Sequence, residues 1–330
     1  MKAGAVVRVD GKLRIGLIGL GFMGGVHLAA ILRSEGGELR GVAARRPPQR
    51  SVGAKGNLQV ESAEVPDGTP WHADWRELVA NPEIDAIDIC TPSPLHKEIA
   101  LAALGAGKHV LCEKPMALDT SDCAEMMRAA DSSGKVFMVA YVVRFMEAYR
   151  RARLFIERVG RDAVRSCCFY RRTGLPAWGG WLTDAAQSGG AVVDLLSHDL
   201  DQVLSLFGTP AAMRAERFGA GDTLKALLTY PSGLTATVQG GWYGAGEPFA
   251  AGFTIETGDE TLVYEDGTLT LRAPAGERAI PLSADDPYLA QMNYFIGSCR
   301  SGQSPALCPP AESAAALEIS VALRRLRDGQ

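Results

Sequence analysis

Three polar side chains in two separate segments have the chemistry of proton transfer. Lys114 follows a short apolar run and Glu113, and Asp194 and His198 lie four residues apart in a later segment. A lysine can move protons near neutral pH when burial and nearby cations lower its pKa from about 10.4. A histidine beside a carboxylate is an oriented proton carrier or a donor to a hydroxyl group. These residues predict a site that moves the proton of a hydroxyl group.

The segment of Asp194 and His198 also allows a different chemistry. A single helix predicted over 191–207 places Asp194, His198 and Asp201 at i, i+4 and i+7 on one face. This spacing suits metal ligation, but no further ligand cluster accompanies it, so we predict no metal. The plainer alternatives are an ordinary histidine on a polar helix face and, for Lys114, a lysine in a surface loop.

A glycine-rich loop near the N-terminus could bind a phosphate group. The segment 19–24 has the pattern G-x-G-x-x-G, and the chain contains 37 glycines, so the pattern alone is weak. Its context is informative, because it follows the predicted strand 14–18 and opens the predicted helix 23–33. Free N–H groups and the helix dipole can bind a pyrophosphate there. The predicted dinucleotide contacts in this loop are Gly19, Gly21, Phe22, Met23 and Gly24.

The residues after the next strand favour one cofactor over another. A dinucleotide-binding loop is usually followed, about 20 residues on, by an acid that binds the ribose hydroxyls. Here that position is Ala44, followed by Arg45 and Arg46. No carboxylate would repel a 2′-phosphate, and two guanidinium groups could pair with one. We therefore predict NADP in preference to NAD; the alternative is that both arginines are solvated surface charges.

The first 142 residues must form the framework that holds this loop and Lys114. Apolar runs of strand length alternate with helical patterns, which predicts a doubly wound parallel sheet, a Rossmann fold. The carboxyl ends of such strands line the ligand crevice, so Lys114 is expected to point into the site. The predicted strands are 14–18, 39–43, 84–90, 109–112 and 136–141, and the predicted helices are 23–33, 75–80, 94–104 and 120–130.

The remainder, 143–330, follows a different pattern. Strand-like runs succeed one another, and Asp266-Gly267 is a hairpin turn signal, which predicts an α+β domain with an antiparallel or mixed sheet. The predicted strands are 164–172, 212–218, 224–230, 234–240, 253–256, 261–264 and 268–272, and the predicted helices are 147–159, 191–207, 288–299 and 311–327.

Composition limits the class of protein. The chain is 47% hydrophobic, 22% charged and carries a formal charge of -4, which favours neither nucleic acid nor a membrane surface as a partner. No apolar run approaches the roughly 18 residues of a membrane span, and no secretory signal is apparent. The seven cysteines are odd in number and lack a C-x-x-C pair, so we expect reduced thiols and a cytoplasmic location.

Several motifs together resemble the glucose–fructose oxidoreductase / inositol dehydrogenase / MocA family over nearly the whole chain. They are the loop 19–24, Thr91-Pro92-Ser93-Pro94-Leu95-His96, the segment from Ala106 to Pro115, Arg144-Phe145, and Gly189-Gly190 with Asp194 and His198. The resemblance implies a Rossmann domain over 1–142. It also implies a substrate-binding domain over 143–330 with a large, mostly antiparallel open sheet, often used for homodimer or homotetramer contacts.

The resemblance also implies roles for individual residues. Lys114, Asp194 and His198 would act at the site of hydride transfer and contact the substrate. Leu182 stands where a basic residue is common, so we expect no phosphate contact at that position. The implied dinucleotide contacts are Thr91, Pro92, His96, Glu113, Lys114 and Trp181. Further candidate substrate contacts in the second domain are Arg144, Tyr170 and Arg172.

The predicted function is therefore an NAD(P)-dependent dehydrogenase or reductase that acts on the CH–OH group of a sugar, cyclitol or related polyol or keto-sugar. Two alternatives stay open at this point. One is a redox-neutral glycosidase that uses NAD transiently. The other is a dinucleotide-sensing regulator without catalysis, which would have no need to retain Lys114, Asp194 and His198.

Overall fold

Six parallel strands form the first sheet of the protein. The computed structural model describes residues 11–47, 60–176 and 180–330 of the chain. The strands are β1 (Leu13–Ile18), β2 (Gly37–Ala43), β3 (Trp71–His72), β4 (Ala86–Ile89), β5 (His109–Glu113) and β6 (Phe137–Ala140). Their order is β3-β2-β1-β4-β5-β6, the doubly wound order that reverses direction between β1 and β4. The predicted Rossmann sheet is confirmed; the short β3 was not predicted.

The predicted helices between these strands are also found, with small shifts at their ends. They are α1 (Phe22–Arg33), α2 (Trp75–Ala80), α3 (His96–Gly105) and α4 (Thr120–Ser133). Asp74 and Asp119 begin α2 and α4, because each carboxylate accepts a hydrogen bond from the backbone N–H two residues further on. Gly134 ends α4 with φ of 64°, a left-handed conformation that glycine adopts without strain.

The second sheet is large and mostly antiparallel. Its strands are β7 (Ser166–Gly174), β8 (Ala212–Glu216), β9 (Asp222–Thr229), β10 (Thr235–Tyr243), β11 (Ala250–Glu256), β12 (Thr261–Glu265), β13 (Thr268–Ala273) and β14 (Gly276–Ile280). Their order is β14-β13-β12-β11-β7-β10-β9-β8. Within it β7 and β10 pair in parallel and the other neighbours are antiparallel. The predicted α+β fold is confirmed.

In this sheet the hairpin at Asp266-Gly267 was predicted correctly and the edge strand β14 was missed. Asp266 and Gly267 join β12 to β13 with φ of 48° and 76°, the left-handed pair that a tight hairpin requires. The edge strand β14 was not predicted. Its first four residues are exposed, so it lacks the alternating apolar pattern by which a half-buried strand is recognised.

The helix predicted over 191–207 is wrong as a single element. The helices of this part are α5 (Glu147–Val159), α6 (Ala185–Ser188), α7 (Gly190–Asp194), α8 (Ser197–Phe207), α9 (Pro287–Ser301) and α10 (Pro310–Arg327). Between α7 and α8 the carbonyl of Asp194 accepts a hydrogen bond from Lys114 Nζ at 2.7 Å, where a continuous helix would place the N–H of His198. Asp194 and Asp201 therefore do not share a helix face.

The C-terminal helices pack back onto the first sheet. A Cβ atom at Gly36, beside the start of β2, would lie 2.9 Å from Ile296 Cγ2 of α9. Arg33 at the end of α1 forms an ion pair of 2.7 Å with Asp286, which caps α9. One buried apolar core therefore runs through both sheets, and the cleft described next opens between them. Among the described helices, none is long and apolar enough to span a bilayer.

Candidate active site

The glycine loop combines two close packing contacts with one open position. Gly19 has φ of 100°, and a Cβ atom there would lie 2.4 Å from the carbonyl oxygen of Cys90. A Cβ atom at Gly24 would lie 2.1 Å from the carbonyl oxygen of Gly19, so α1 packs tightly on the loop. By contrast, no atom lies within 4 Å of a Cβ atom built at Gly21, where α1 begins. This open helix N-terminus fits a pyrophosphate group.

A cleft of about 1510 Å³ extends from this loop to α7 and α8. It brings together most of the predicted site residues, from both parts of the chain. Those that line it are Gly19, Gly21, Phe22, Met23, Arg45, Arg46, Thr91, Pro92, Glu113, Lys114, Trp181, Asp194 and His198. Five of the predicted residues do not line it: Gly24, His96, Arg144, Tyr170 and Arg172.

One end of the cleft is basic. Ala44, Arg45 and Arg46 follow β2 and line the cleft, and both arginine side chains are exposed. The carbonyl of Ala44 accepts a hydrogen bond from Trp71 Nε1 at 3.2 Å, which fixes the backbone just before the two arginines. The dinucleotide end of the cleft thus carries two cations at the position where an acid is usual in NAD-binding folds.

Lys114 and Asp194 form the centre of the other end. Lys114 Nζ donates to the Asp194 carbonyl at 2.7 Å and to Asp194 Oδ1 at 3.0 Å. Both side chains are only 15% exposed, so water screens this ion pair weakly. Glu113 pairs instead with His27, its Oε1 2.9 Å from Nε2, in keeping with the opposite directions of neighbouring side chains on an extended chain. Lys114 is therefore a fixed cation at the end of β5.

His198 is a half-buried, neutral imidazole that lines the cleft beside that cation. Burial, followed by the charges of Lys114 and Arg171, holds the pKa of His198 well below its usual value of 6.5. Its ring meets that of Tyr141 edge-on, with 5.9 Å between centroids. Among the described residues, Nδ1 of His198 has no hydrogen-bond partner. His198 can therefore accept a proton or hydrogen-bond a ligand at neutral pH.

A buried charged network behind the loop was not predicted from the sequence. His27 on α1 lies between two carboxylates, with Nδ1 2.9 Å from Asp88 Oδ2 and Nε2 2.9 Å from Glu113 Oε1. Burial acts to lower the pKa of His27, but the Asp88 carboxylate outweighs it and raises that pKa well above 6.5. The one feature of the sequence that points to this network is a histidine, His27, inside the apolar stretch of α1.

This network orients the backbone of Lys114. Burial would raise the pKa of Glu113, yet the nearby charge of His27, with Nε2 2.9 Å from Oε1, holds it below its usual value of 4.5. Oε2 of Glu113 accepts a hydrogen bond from the backbone N–H of Lys114 at 3.1 Å.

Cys90 lies close to His27 and Asp88, but both ring nitrogens of His27 already face carboxylates, which leaves none to bind a metal.

The structure corrects three predicted substrate contacts. Arg144 is buried outside the cleft, where it pairs with Asp201 at 2.5 Å and with Glu312 at 2.7 Å. Tyr170 and Arg172 lie on the face of β7 opposite the cleft, because side chains alternate along a strand. Their neighbour Arg171 lines the cleft instead.

His96 is also corrected. Its ring nitrogens lie 2.9 Å from the carbonyl oxygens of Thr91 and Pro115, so it joins two loops that line the cleft without lining it itself. The residues that line the substrate end and were not predicted are Arg171, Thr173, Gln187, Trp242, Phe249 and Tyr288. They come from two strands, two helices and one loop, and no local motif marks them.

Comparison with known families identifies the fold and its chemistry. Residues 13–141 match the model of the oxidoreductase family with an NAD-binding Rossmann fold, and residues 157–263 match the GFO/IDH/MocA C-terminal domain. The chain belongs to the Gfo/Idh/MocA oxidoreductase family. These matches confirm the predicted family resemblance. They also confirm the prediction of an oxidoreductase that uses a nicotinamide cofactor.

Relatives within the Gfo/Idh/MocA family match along most of the chain. A 1,5-anhydro-D-fructose reductase of Ensifer adhaerens is 29% identical over 88% of this chain and 90% of its own length. A myo-inositol 2-dehydrogenase of Thermotoga maritima is 26% identical over 89% of this chain and 90% of its own. A levoglucosan dehydrogenase in complex with NADH and levoglucosan superposes with a TM-score of 0.81 at 21% identity, over 96% of this chain and 98% of its own. That structural likeness shows the fold.

One position in this Gfo/Idh/MocA chain departs from the expected pattern. Leu182, where a basic residue is common, is buried and packs with Ala191 and Trp242 beside Trp181 and Leu195. An apolar side chain cannot pair with a phosphate group. This wall of the cleft is therefore apolar and aromatic.

Proposed function

We propose that this Gfo/Idh/MocA chain transfers a hydride between NADP, in preference to NAD, and a CH–OH carbon of a neutral sugar, cyclitol or related polyol. The observation that carries the proposal is the meeting of Lys114, Asp194 and neutral His198 at the end of the cleft away from Arg45 and Arg46. A bound nicotinamide ring supplies the hydride acceptor or donor.

The protein's own groups handle the proton. The Lys114 ammonium, held by two bonds to Asp194, has a third N–H that can hydrogen-bond the reacting oxygen and stabilise negative charge as it develops there. His198, which is neutral, accepts the hydroxyl proton during oxidation and returns it during reduction. Asp194 keeps the ammonium in place and offers its second carboxylate oxygen to a neighbouring hydroxyl group.

Charge balance at this end of the cleft supports a neutral substrate. The Lys114 cation is paired with Asp194, and Arg171 is paired with the buried Asp199 at 2.8 Å. Around them lie Trp242 and other aromatic residues that can pack on the apolar face of a sugar ring. The relatives named above agree, since their names refer to anhydrofructose, myo-inositol and levoglucosan.

The preference for NADP rests on Ala44, Arg45 and Arg46. Two exposed guanidinium groups at the basic end of the cleft can pair with a 2′-phosphate. The relative with NADH bound shows that NAD(H) is used within the fold. A comparison of Kd values for NADPH and NADH therefore decides this part of the proposal.

A panel of neutral polyols, sugar acids and keto-sugars, each assayed with NADP and NAD or their reduced forms, tests the proposal. We expect turnover with neutral polyols or keto-sugars and weak or no turnover with sugar acids. Cofactor that stays bound while a glycosidic bond is cleaved, with no net formation of reduced nicotinamide, would contradict it and favour the redox-neutral glycosidase. Cofactor binding without any turnover would favour a sensor.

Assembly, location and the division of the chain complete the proposal. The chain is divided into a cofactor-binding part, 1–142, and a substrate-binding part, 143–330. It forms a homodimer or homotetramer through the sheet face that carries Tyr170, Arg172 and Leu227, the last 38% exposed. The free thiols of all seven cysteines support a cytoplasmic location. Light scattering of the purified protein tests the assembly.

A further inference from the structure

The C-terminal helix α10 contacts the segment that carries Asp194. Arg327 is only 6% exposed, and its Nη1 lies 2.5 Å from Asp222 Oδ1 and 3.1 Å from the carbonyl oxygen of Thr223. Arg324, one turn earlier, donates from Nη1 to the carbonyl oxygen of Gly189 at 2.8 Å. We call Arg324, Arg327 and Asp222 the C-terminal latch.

The latch fixes the first residues of α7. Oδ2 of Asp222 accepts the backbone N–H of Ala191 at 2.6 Å. Gly190 has φ of 74°, and a Cβ atom there would lie 2.6 Å from the same carboxylate oxygen. The absence of a side chain at Gly190 thus lets Asp222 approach the backbone. Gly189 and Ala191 are held from two directions, by Arg324 and by Asp222.

The helix α7 transmits this position to the site. It runs from Gly190 to Asp194, where the carbonyl and the carboxylate bind Lys114. Ala191 also packs against Trp242 in the wall of the cleft. A shift of Ala191 would therefore move the partner of Lys114 and a wall residue together. The family-model match of the second part ends at residue 263, so α10 lies outside it.

We propose that Arg327, acting through Asp222, and Arg324 are positioning residues that hold Asp194 against Lys114. The inference rests on the proposed function only in that Lys114 and Asp194 serve catalysis. Asp222 joins a buried guanidinium to a backbone N–H, and hydrogen bonds with a charged partner are about twice as strong as neutral ones. Without Arg327, the Asp222 carboxylate gains freedom to turn to water, and Ala191 N–H loses its acceptor.

Hydrogen–deuterium exchange of the cofactor-free protein tests the positioning without any substrate. Arg327→Gln is expected to speed exchange in peptides covering 189–196 by about tenfold, because the start of α7 opens locally. Arg327→Lys keeps a charge near Asp222 and should restore part of the protection. Arg325→Gln is the matched control, because Arg325 lies on the same helix and is exposed. In this variant the peptides covering 189–196 should exchange as in the wild type.

Steady-state kinetics with the polyol that the wild type oxidises fastest tests the consequence. In Arg327→Gln, kcat should fall about tenfold, since small misplacements of a catalytic group are costly. The KM for the cofactor should stay within about twofold, because the glycine loop is untouched. A purely structural role would lower the melting temperature and leave kcat per folded molecule unchanged.

Three results would overturn the inference. One is unchanged exchange at 189–196 in Arg327→Gln and also in Arg324→Gln. Another is faster exchange in Arg327→Gln with unchanged kcat. The third is a loss of kcat in Arg325→Gln equal to that in Arg327→Gln. If Arg327→Gln does not fold, Arg327→Lys and Arg324→Gln carry the same comparison. If the wild type turns over neither a polyol nor a keto-sugar, the proposed function fails, while exchange still decides whether the latch holds α7.

Discussion

Arg144 provides a sharp test, because its sequence motif suggested a substrate contact and the structure gives it a structural role. Its side chain is 3% exposed and faces Asp201, which is fully buried. Nε and Nη2 donate to the two carboxylate oxygens, and Nη1 donates to the carbonyl of Leu307 and to Glu312. In Arg144→Met the Asp201 carboxylate would stay buried without its cation.

The expected cost follows from that burial. Removing one partner of a buried ion pair costs about 3–5 kcal/mol, a large share of the roughly 5–15 kcal/mol that stabilises a typical protein. At about 2 °C or more per kcal/mol for a chain of this size, the melting temperature should fall by about 6–10 °C. The double variant Arg144→Met/Asp201→Leu should recover much of this loss, since no buried charge is left unpaired and Glu312 is 43% exposed.

Urea denaturation measures the free energy of unfolding of these variants, and steady-state kinetics on the same preparations measures their KM for the polyol. Arg172→Met is the matched control: this arginine is 53% exposed and lies 3.5 Å from Glu247, so its loss should cost under about 1 kcal/mol. We expect the KM for the polyol to stay within about twofold of the wild-type value in Arg144→Met and in Arg172→Met. Unchanged stability of Arg144→Met together with a raised KM would refute this account and return Arg144 to the substrate site.

Three further predictions concern charge and pH. In the double variant Arg45→Ala/Arg46→Ala, the Kd for NADPH should rise about tenfold or more and that for NADH by less than about twofold, as loss of a charge-assisted phosphate contact requires; equal changes would argue against an NADP preference. Because burial lowers the pKa of His198, kcat for oxidation should stay level from pH 8 down to about 6.5, whereas a fall centred at 6.5 would show an ordinary histidine. The pKa of His27 is raised, so its stabilising effect is complete below about pH 6.5 and declines as pH rises through the raised pKa; urea denaturation of His27→Gln and wild type across pH should show that decline.

Local patterns were sufficient to predict the framework. The alternation of strands and helices up to β6 predicted the Rossmann sheet, and the glycine loop lies where the pattern placed it. Both depend on interactions among residues that are near in sequence: apolar periodicity, aspartate caps and glycine turns. The hairpin at Asp266-Gly267 belongs to the same class.

The parts that could not be predicted depend on residues far apart in sequence. At the break between α7 and α8, Lys114 binds the Asp194 carbonyl, a contact across 80 residues. On β7 the predicted substrate contacts were Tyr170 and Arg172, whereas the face that meets the cleft carries Arg171. Which face of a strand is covered depends on tertiary packing. The pairing of His27 with Asp88 and Glu113 likewise joins three separate elements.

The most direct test of the central claim is the turnover number of Lys114→Met at saturating cofactor and polyol. Loss of one preorganised donor to the reacting oxygen should lower kcat by about 10²–10³-fold. Lys97→Met is the matched control, since Lys97 of α3 pairs with Asp122 of α4 and is 33% exposed. The kcat of this variant should equal that of the wild type. Full turnover in a folded Lys114→Met variant that binds cofactor normally would contradict the proposal that Lys114 acts at the reacting oxygen.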